Sequence, residues 1–131
     1  MKILTFGVFD FFHIGHLRLF KQCRQYGDYL IVAVQSSEFI KKFKPEAQVM
    51  YPTDIRMELI SSLREVDEVI SYEVLNVDTL SGIDFDILAL GEDHVGPRFD
   101  VLVDWCEQHG KQVARLKRTP GISSTDIKGK I

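Results

Sequence analysis

KILTFGVFDFFHIGHLRLFKQCRQYGDYLIVAV, residues 2–34, reads as strand, helix and strand. The short apolar runs Lys2–Phe6 and Tyr29–Val34 carry β-branched residues and are bounded by turn signals, which is the pattern of buried strands. Between them Leu17, Phe20 and Cys23 recur at three-residue spacing and Gly27 closes the segment. That spacing predicts an amphipathic helix over 16–26 with a glycine stop. A strand, a helix and a strand within about 34 residues make a βαβ unit, whose two strands lie parallel.

The alternation continues outward. Ser37–Lys42 reads as a helical turn and leads into a Lys-rich loop, with Lys41, Lys42 and Lys44 ahead of Pro45, which is the expected mobile segment. Thr53 or Asp54 then caps a helix running to about Leu63, with Ile55, Leu59, Ile60 and Leu63 on its buried face. Strands are expected over 66–71, 86–90 and 112–116, and helices over 77–83 and 99–109. This order predicts an α/β protein with a doubly wound, mostly parallel five-stranded sheet. Such sheets bind ligands outside the carboxyl ends of the strands, where the strand order reverses. At 131 residues, with no repeat, low-complexity tract or linker, the sequence reads as a single domain over 1–131.

Composition narrows the function classes. Sixteen Lys+Arg against nineteen Asp+Glu give a net charge of -3, and 45% of residues are hydrophobic, ordinary values for a soluble globular protein. The balance argues against a nucleic-acid binder or an anionic-membrane binder, and leaves room for a small anion in a local basic pocket. The longest strongly apolar run, Tyr29–Val34, is six residues, against the roughly 20 that span a bilayer. Asp10 and His13 interrupt the apolar N-terminus and no small-residue cleavage site follows, so a cytoplasmic location is expected. Cys23 and Cys106 lack metal-type spacing and sit in apolar helical contexts, which marks them as inert thiols.

The chemistry is expected in the turn after the first strand, Gly7-Val8-Phe9-Asp10-Phe11-Phe12-His13-Ile14-Gly15-His16. His13 lies just before a helix and His16 in its first turn, where free backbone N–H groups and the positive end of the helix dipole favour an anion. Gly15 permits close approach, and the imidazoles can donate hydrogen bonds to phosphate oxygens. With four His and nine Gly in 131 residues, H-x-G-H arises by chance in about one such sequence in a hundred. His-x-x-His spacing also suits a metal, but no third ligand stands nearby in sequence. A second anion seat is expected at Arg118-Thr119-Pro120-Gly121-Ile122-Ser123-Ser124-Thr125, where Pro-Gly forces a turn and Ser123 or Ser124 caps a final helix. Arg118 would supply a planar cation there.

Gly7-x-Phe9-Asp10-x-x-His13-x-Gly15-His16 and Arg118-Thr119-x-Gly121-Ile122-Ser123-x-Thr125 together resemble the cytidylyltransferase family, within it the small glycerol-3-phosphate cytidylyltransferases. The resemblance extends to Arg56, Val66–Ile70, Gly91-Glu92-Asp93 and Phe99-Asp100. It implies a Rossmann-like nucleotidyltransferase fold and attack by a substrate phosphate on the α-phosphorus of CTP, with Mg²⁺ on the triphosphate. It also implies catalytic roles for His13, His16, Lys42, Lys44 and Arg118, and no protein-held metal. Gly7, Val8, Phe9, Asp10, Gly15, Gly91, Asp93, Thr119, Gly121, Ile122, Ser123 and Ser124 would bind nucleotide, with Asp10 ordering the loop. The implied partners are CTP, a small phosphorylated acceptor and a second copy of the chain. His94 stands where these enzymes carry Trp, and Ile14 replaces a common aromatic, so the acceptor extends to other small polyol or amino-alcohol phosphates. The alternatives are an adenylyltransferase acting on a sugar phosphate, or a nucleotide-binding module without turnover.

Overall fold

The computed structural model describes residues 1–38 and 51–117. The strands are β1 (Lys2–Gly7), β2 (Tyr29–Gln35), β3 (Glu68–Tyr72), β4 (Ile87–Gly91) and β5 (Gln112–Leu116). The helices are α1 (Ile14–Tyr26), α2 (Thr53–Ser61), α3 (Val77–Ser81) and α4 (Pro97–Gln108).

Side chains alternate across a strand, so a strand buried on both faces feeds two cores. In β2, Leu30, Val32 and Val34 join Phe20 and Cys23 of α1 and Ile60 of α2 in one core. Ile31 and Ala33 face the other way and pack with Leu80 of α3 and Leu102 and Cys106 of α4. Each such Leu or Ile contributes about 1.5–3 kcal/mol by leaving water. The helices therefore lie on both faces of the sheet, and every strand pairing is parallel.

The strand order is β3-β2-β1-β4-β5. From central β1 the chain winds outward to β2 and β3, then returns to the other side of β1 for β4 and β5. The reversal thus falls between β1 and β4. β1 pairs with β2 along its whole length, from Lys2↔Tyr29 to Gly7↔Val34. With β4 it pairs only at Ile3↔Ile87 and Leu4↔Leu88. Beyond Leu4 and Leu88 the two strands part, and this opens the crevice at their carboxyl ends.

Two expectations are corrected. The buried face of α2 is not built on Ile55 and Leu59, which are 38% and 49% exposed, but on Ile60 and Arg56, each 1% exposed. Hydrogen bonds from the Arg56 guanidinium fix the rotation of the helix and turn 55 and 59 outward, while Leu63 packs at the core margin. Neither Thr53 nor Asp54 caps α2: Pro52 occupies the cap, and the Thr53 hydroxyl accepts the Ser37 N–H at 2.8 Å. α1 stops at Gly27 as expected, and Gly27 is extended there, φ −147°. The two thiols are buried, and burial pushes Cys23 up to about 12, as suits an inert thiol.

Neighbouring positions on α2 therefore separate core from surface. Ile60→Ala should cost about 2–5 kcal/mol and Leu59→Ala under about 1 kcal/mol, read from urea unfolding midpoints.

Candidate active site at the β1–β4 crevice

β1 ends at Gly7 and the chain turns sharply before α1. Phe9 and Phe11 take left-handed conformations, φ 55° and φ 50°, which cost about 1–3 kcal/mol each for non-glycine residues. The Phe9 ring folds back over Gly7, where a Cβ would stand only 3.0 Å from it. Arg56 reaches in from α2 and holds this turn. Its Nη1 donates to the carbonyls of Val8 at 2.7 Å and Gln35 at 2.9 Å, and its Nε to that of Tyr51 at 3.0 Å. Its Nη2 donates to the Ser37 hydroxyl at 2.5 Å. Burial lowers the guanidinium's pKa, and the carboxylates of Asp10 and Glu38 oppose that shift. Asp10 is itself buried, and its Oδ1 accepts the Tyr51 N–H at 3.2 Å, a loop-holding contact.

The two histidines cap α1 reciprocally. His13 is the N-cap residue, and its Nδ1 accepts the Gly15 N–H at 3.0 Å. His16, in the first turn, returns the contact: its Nδ1 accepts the His13 N–H at 3.2 Å. The rings stack with centroids 3.8 Å apart. With both Nδ1 atoms accepting, the neutral rings carry their protons on Nε2 and offer those N–H groups as donors. Burial, and then the neighbouring His13, push His16 down to about 3. At neutral pH His16 is therefore a neutral donor, not a cation. Phe9 and Phe12 pack against its ring. No acidic residue stands in the first turn of α1, so the positive end of the dipole is uncompensated there.

Across the crevice, β4 ends at Gly91. A Cβ on Gly91 would lie 2.8 Å from Asp93 Oδ1, so any larger residue here would displace the Asp93 carboxylate. The Gly91 N–H donates to His94 Nδ1 at 2.9 Å, and the His94 N–H to the Gly91 carbonyl at 3.1 Å. Arg115 of β5 donates to the Gly91 carbonyl at 3.3 Å and the His94 carbonyl at 2.5 Å.

Of the residues expected at the site, Gly7, Val8, Phe9, Asp10, His13, Gly15 and His16 come together in the β1–α1 turn. Gly91 and Asp93 lie at the carboxyl end of β4, the strand paired with β1. Lys42, Lys44, Arg118, Thr119, Gly121, Ile122, Ser123 and Ser124 lie outside the described residues. Among the described residues no group of three or more His, Cys, Asp or Glu is arranged to hold a metal ion. The same residues contain no helix long and apolar enough to cross a membrane. Arg56 was not among the expected site residues, although it anchors the loop. Its signal was a lone charge one helical turn before Ile60, on what proves to be the buried face.

A doubly wound parallel sheet with an anion-favouring helix start at its reversal point defines a nucleotide-handling α/β protein. The chain matches the cytidylyltransferase-like family over residues 4–130, and it belongs to that family. It is 38% identical over 133 residues to a glycerol-3-phosphate cytidylyltransferase of Bacillus subtilis, covering 99% of this chain and 96% of that one. A glycerol-3-phosphate cytidylyltransferase of Staphylococcus aureus is 39% identical over 131 residues, covering 97% and 92%. Among solved structures, a lipopolysaccharide core biosynthesis protein from Thermoplasma volcanium superposes with a TM-score of 0.72 at 25% identity, covering 91% of this chain and 96% of that one.

His16 should show no imidazole titration by NMR between pH 8 and pH 5. The unfolded chain binds this proton near 6.5 and the folded chain only near 3, so below about 6.5 the unfolded state holds more protons. His16's share of stability is present above that pH and lost as pH falls toward 3, which urea midpoints across the range would read.

Proposed function

We propose that the protein transfers the cytidylyl group of CTP to a small phosphorylated alcohol, with glycerol 3-phosphate the first choice. An oxygen of the acceptor phosphate attacks the α-phosphorus, the bond from that phosphorus to the bridging oxygen breaks, and pyrophosphate leaves. The reaction yields a CDP-linked alcohol and needs no covalent enzyme intermediate. The observation that carries the reading is the pair of histidines whose Nδ1 atoms cap the start of α1, in a chain similar along nearly its whole length to glycerol-3-phosphate cytidylyltransferases.

In this reading catalysis is positioning plus electrostatic stabilisation of a crowded anionic transition state. His13 and His16 donate to the triphosphate beside the helix dipole. Lys42 and Lys44 neutralise the α-phosphate and the acceptor phosphate, and Arg118 grips the departing phosphates. Gly7, Val8, Phe9, Asp10 and Gly15 shape the turn against the nucleotide. Gly91 and Asp93 meet the nucleoside, with Thr119, Gly121, Ile122, Ser123 and Ser124 closing from the chain's end. Mg²⁺ enters as part of the substrate, on the triphosphate. The chain works as one nucleotidyltransferase domain in the cytoplasm. It pairs as a homodimer, a reading that the outward Ile55 and Leu59 of α2 support.

A depression of about 290 Å³ between α3 and the start of α4 suits the acceptor. It is lined by Asn76, Asp78 and Arg98 over Leu75, Val101 and Leu102. A guanidinium matches a phosphate, and a carboxylate with an amide matches neighbouring hydroxyls. Phe99, beside Arg98, stacks on His94 with ring centroids 4.9 Å apart.

Pyrophosphate release with Mg²⁺, comparing CTP and ATP against a panel of small polyol and amino-alcohol phosphates, tests the reading. The expected result is turnover with CTP and glycerol 3-phosphate. Turnover with ATP alone would move the mechanism to adenylyl transfer. Nucleotide-induced stabilisation without turnover would mark a binding module. His16→Ala should lower kcat at least about tenfold with the fold intact, and Arg98→Ala should raise KM for the acceptor but not for CTP.

A further inference from the structure

After Leu88, β4 has no β1 partner on its inner edge. In a parallel strand successive backbone groups point to opposite sides. The Glu92 N–H goes to the Leu116 carbonyl of β5 at 3.0 Å, so the Gly91 N–H faces the side that β1 has vacated. His94 fills that place. Its Nδ1 accepts the Gly91 N–H at 2.9 Å, and its ring lies between Phe6 of β1, centroids 5.5 Å apart, and Phe99 of α4, 4.9 Å apart. Both pairs are near parallel, at 20° and 15°. An imidazole thus stands in for the missing strand and sets the shape of the Gly91–Asp93 turn.

We propose that His94 is a positioning residue for the nucleotide, holding the Gly91–Asp93 turn in its binding shape through a neutral ring, and that protonation of His94 releases the turn and weakens nucleotide binding in acid. The inference rests on the proposed reading that Gly91 and Asp93 meet the nucleoside. Only the neutral ring has a lone pair at Nδ1; the imidazolium would turn N–H against N–H. Among the described residues, charged groups of both signs act on that proton. Arg115 of β5 binds the His94 carbonyl, and Arg98 of α4 lies over the Phe99 ring at 5.5 Å; both oppose a positive ring. The carboxylates of Glu92 and Asp93 in the turn favour it. β1 contributes the Phe6 ring and β3, edge-on behind it, Tyr72.

Two substitutions separate the acceptor from the ring. His94→Asn places an oxygen where Nδ1 stood and does not titrate. His94→Phe keeps the stack and loses the acceptor. Binding of CTP and of ATP, with Mg²⁺, would be read by calorimetry from pH 8 to pH 5.5, beside the kinetics. The nucleotide's own ionisation is common to all three proteins, so each variant is compared with the parent at the same pH. The parent should lose about tenfold in affinity toward pH 5.5 relative to His94→Asn. His94→Phe should bind about five- to tenfold more weakly than the parent at pH 8, with a raised KM and kcat within about twofold. In the parent, the Gly91 amide should shift in NMR spectra along the His94 titration curve. Equal acid weakening in the parent and His94→Asn, or parent-like binding by His94→Phe at pH 8, would overturn the inference. Should His94→Phe fail to fold, His94→Asn alone still decides it. Pyrophosphate-silent protein that shows the expected binding pattern would overturn the transferase reading and support this one. Failure to bind either nucleotide would overturn both.

Discussion

One guanidinium joins the parts that make the crevice. Arg56 sits in the core-facing side of α2, yet its hydrogen bonds run to the carbonyl of Val8 after β1, to that of Gln35 at the end of β2 and to that of Tyr51 before α2. At Val8 and Gln35 the backbone leaves the sheet, and at Tyr51 it has not yet entered the helix, so these carbonyls would be costly to bury alone. A charged, planar donor with five N–H groups satisfies several of them at once. The left-handed Phe9 and Phe11 become tolerable only because both ends of their turn are held. The rotation of α2, the strained turn and the placement of α1 are therefore one arrangement.

The same economy operates at the other side of the opening. A sheet that is to bind a ligand at its reversal point must let two strands part, and parting leaves inward-facing backbone groups without partners. On β4 the His94 ring answers this need at Gly91, and on β2, beyond the end of β1 at Gly7, the Arg56 fork takes the Gln35 carbonyl. The crevice is an interruption of the sheet whose edges are sealed by side chains. His13 and His16 extend the pattern to a helix end, each taking a backbone N–H that the first turn of α1 leaves over.

The α/β alternation was legible because long apolar periodicities carry it, and each described strand and helix lies within two residues of its expected place. The histidine turn was legible because a helix start constrains its cap closely. The buried face of α2 was not. Hydrophobicity assigned Ile55 and Leu59 inward and took no account of a charged residue that gains more from strand-end carbonyls than it loses by leaving water. His94 could be noticed as an unusual residue in the sequence, but its role depends on β1 and β4 diverging. That divergence is a matter of pairing between segments more than eighty residues apart.

The charge economy of the described site bears on how transfer would be catalysed. The chain as a whole carries -3, so no long-range field gathers a triphosphate, and the attraction has to be local. With its pKa held near 3, His16 offers a fixed dipole and not a charge. A neutral donor costs less to bury than a cation and needs no reorganisation when charge moves onto the departing phosphates. Under the proposed function the cations come from Lys42, Lys44 and Arg118, which lie outside the described residues. The work then divides in two: a rigid, neutral, hydrogen-bonding floor orients the α-phosphorus, and separately supplied cations offset the accumulating charge. Such a division explains why the histidines are held so tightly, with both Nδ1 atoms committed to backbone. A donor that could rotate would lose the preorganisation for which a neutral group is suited.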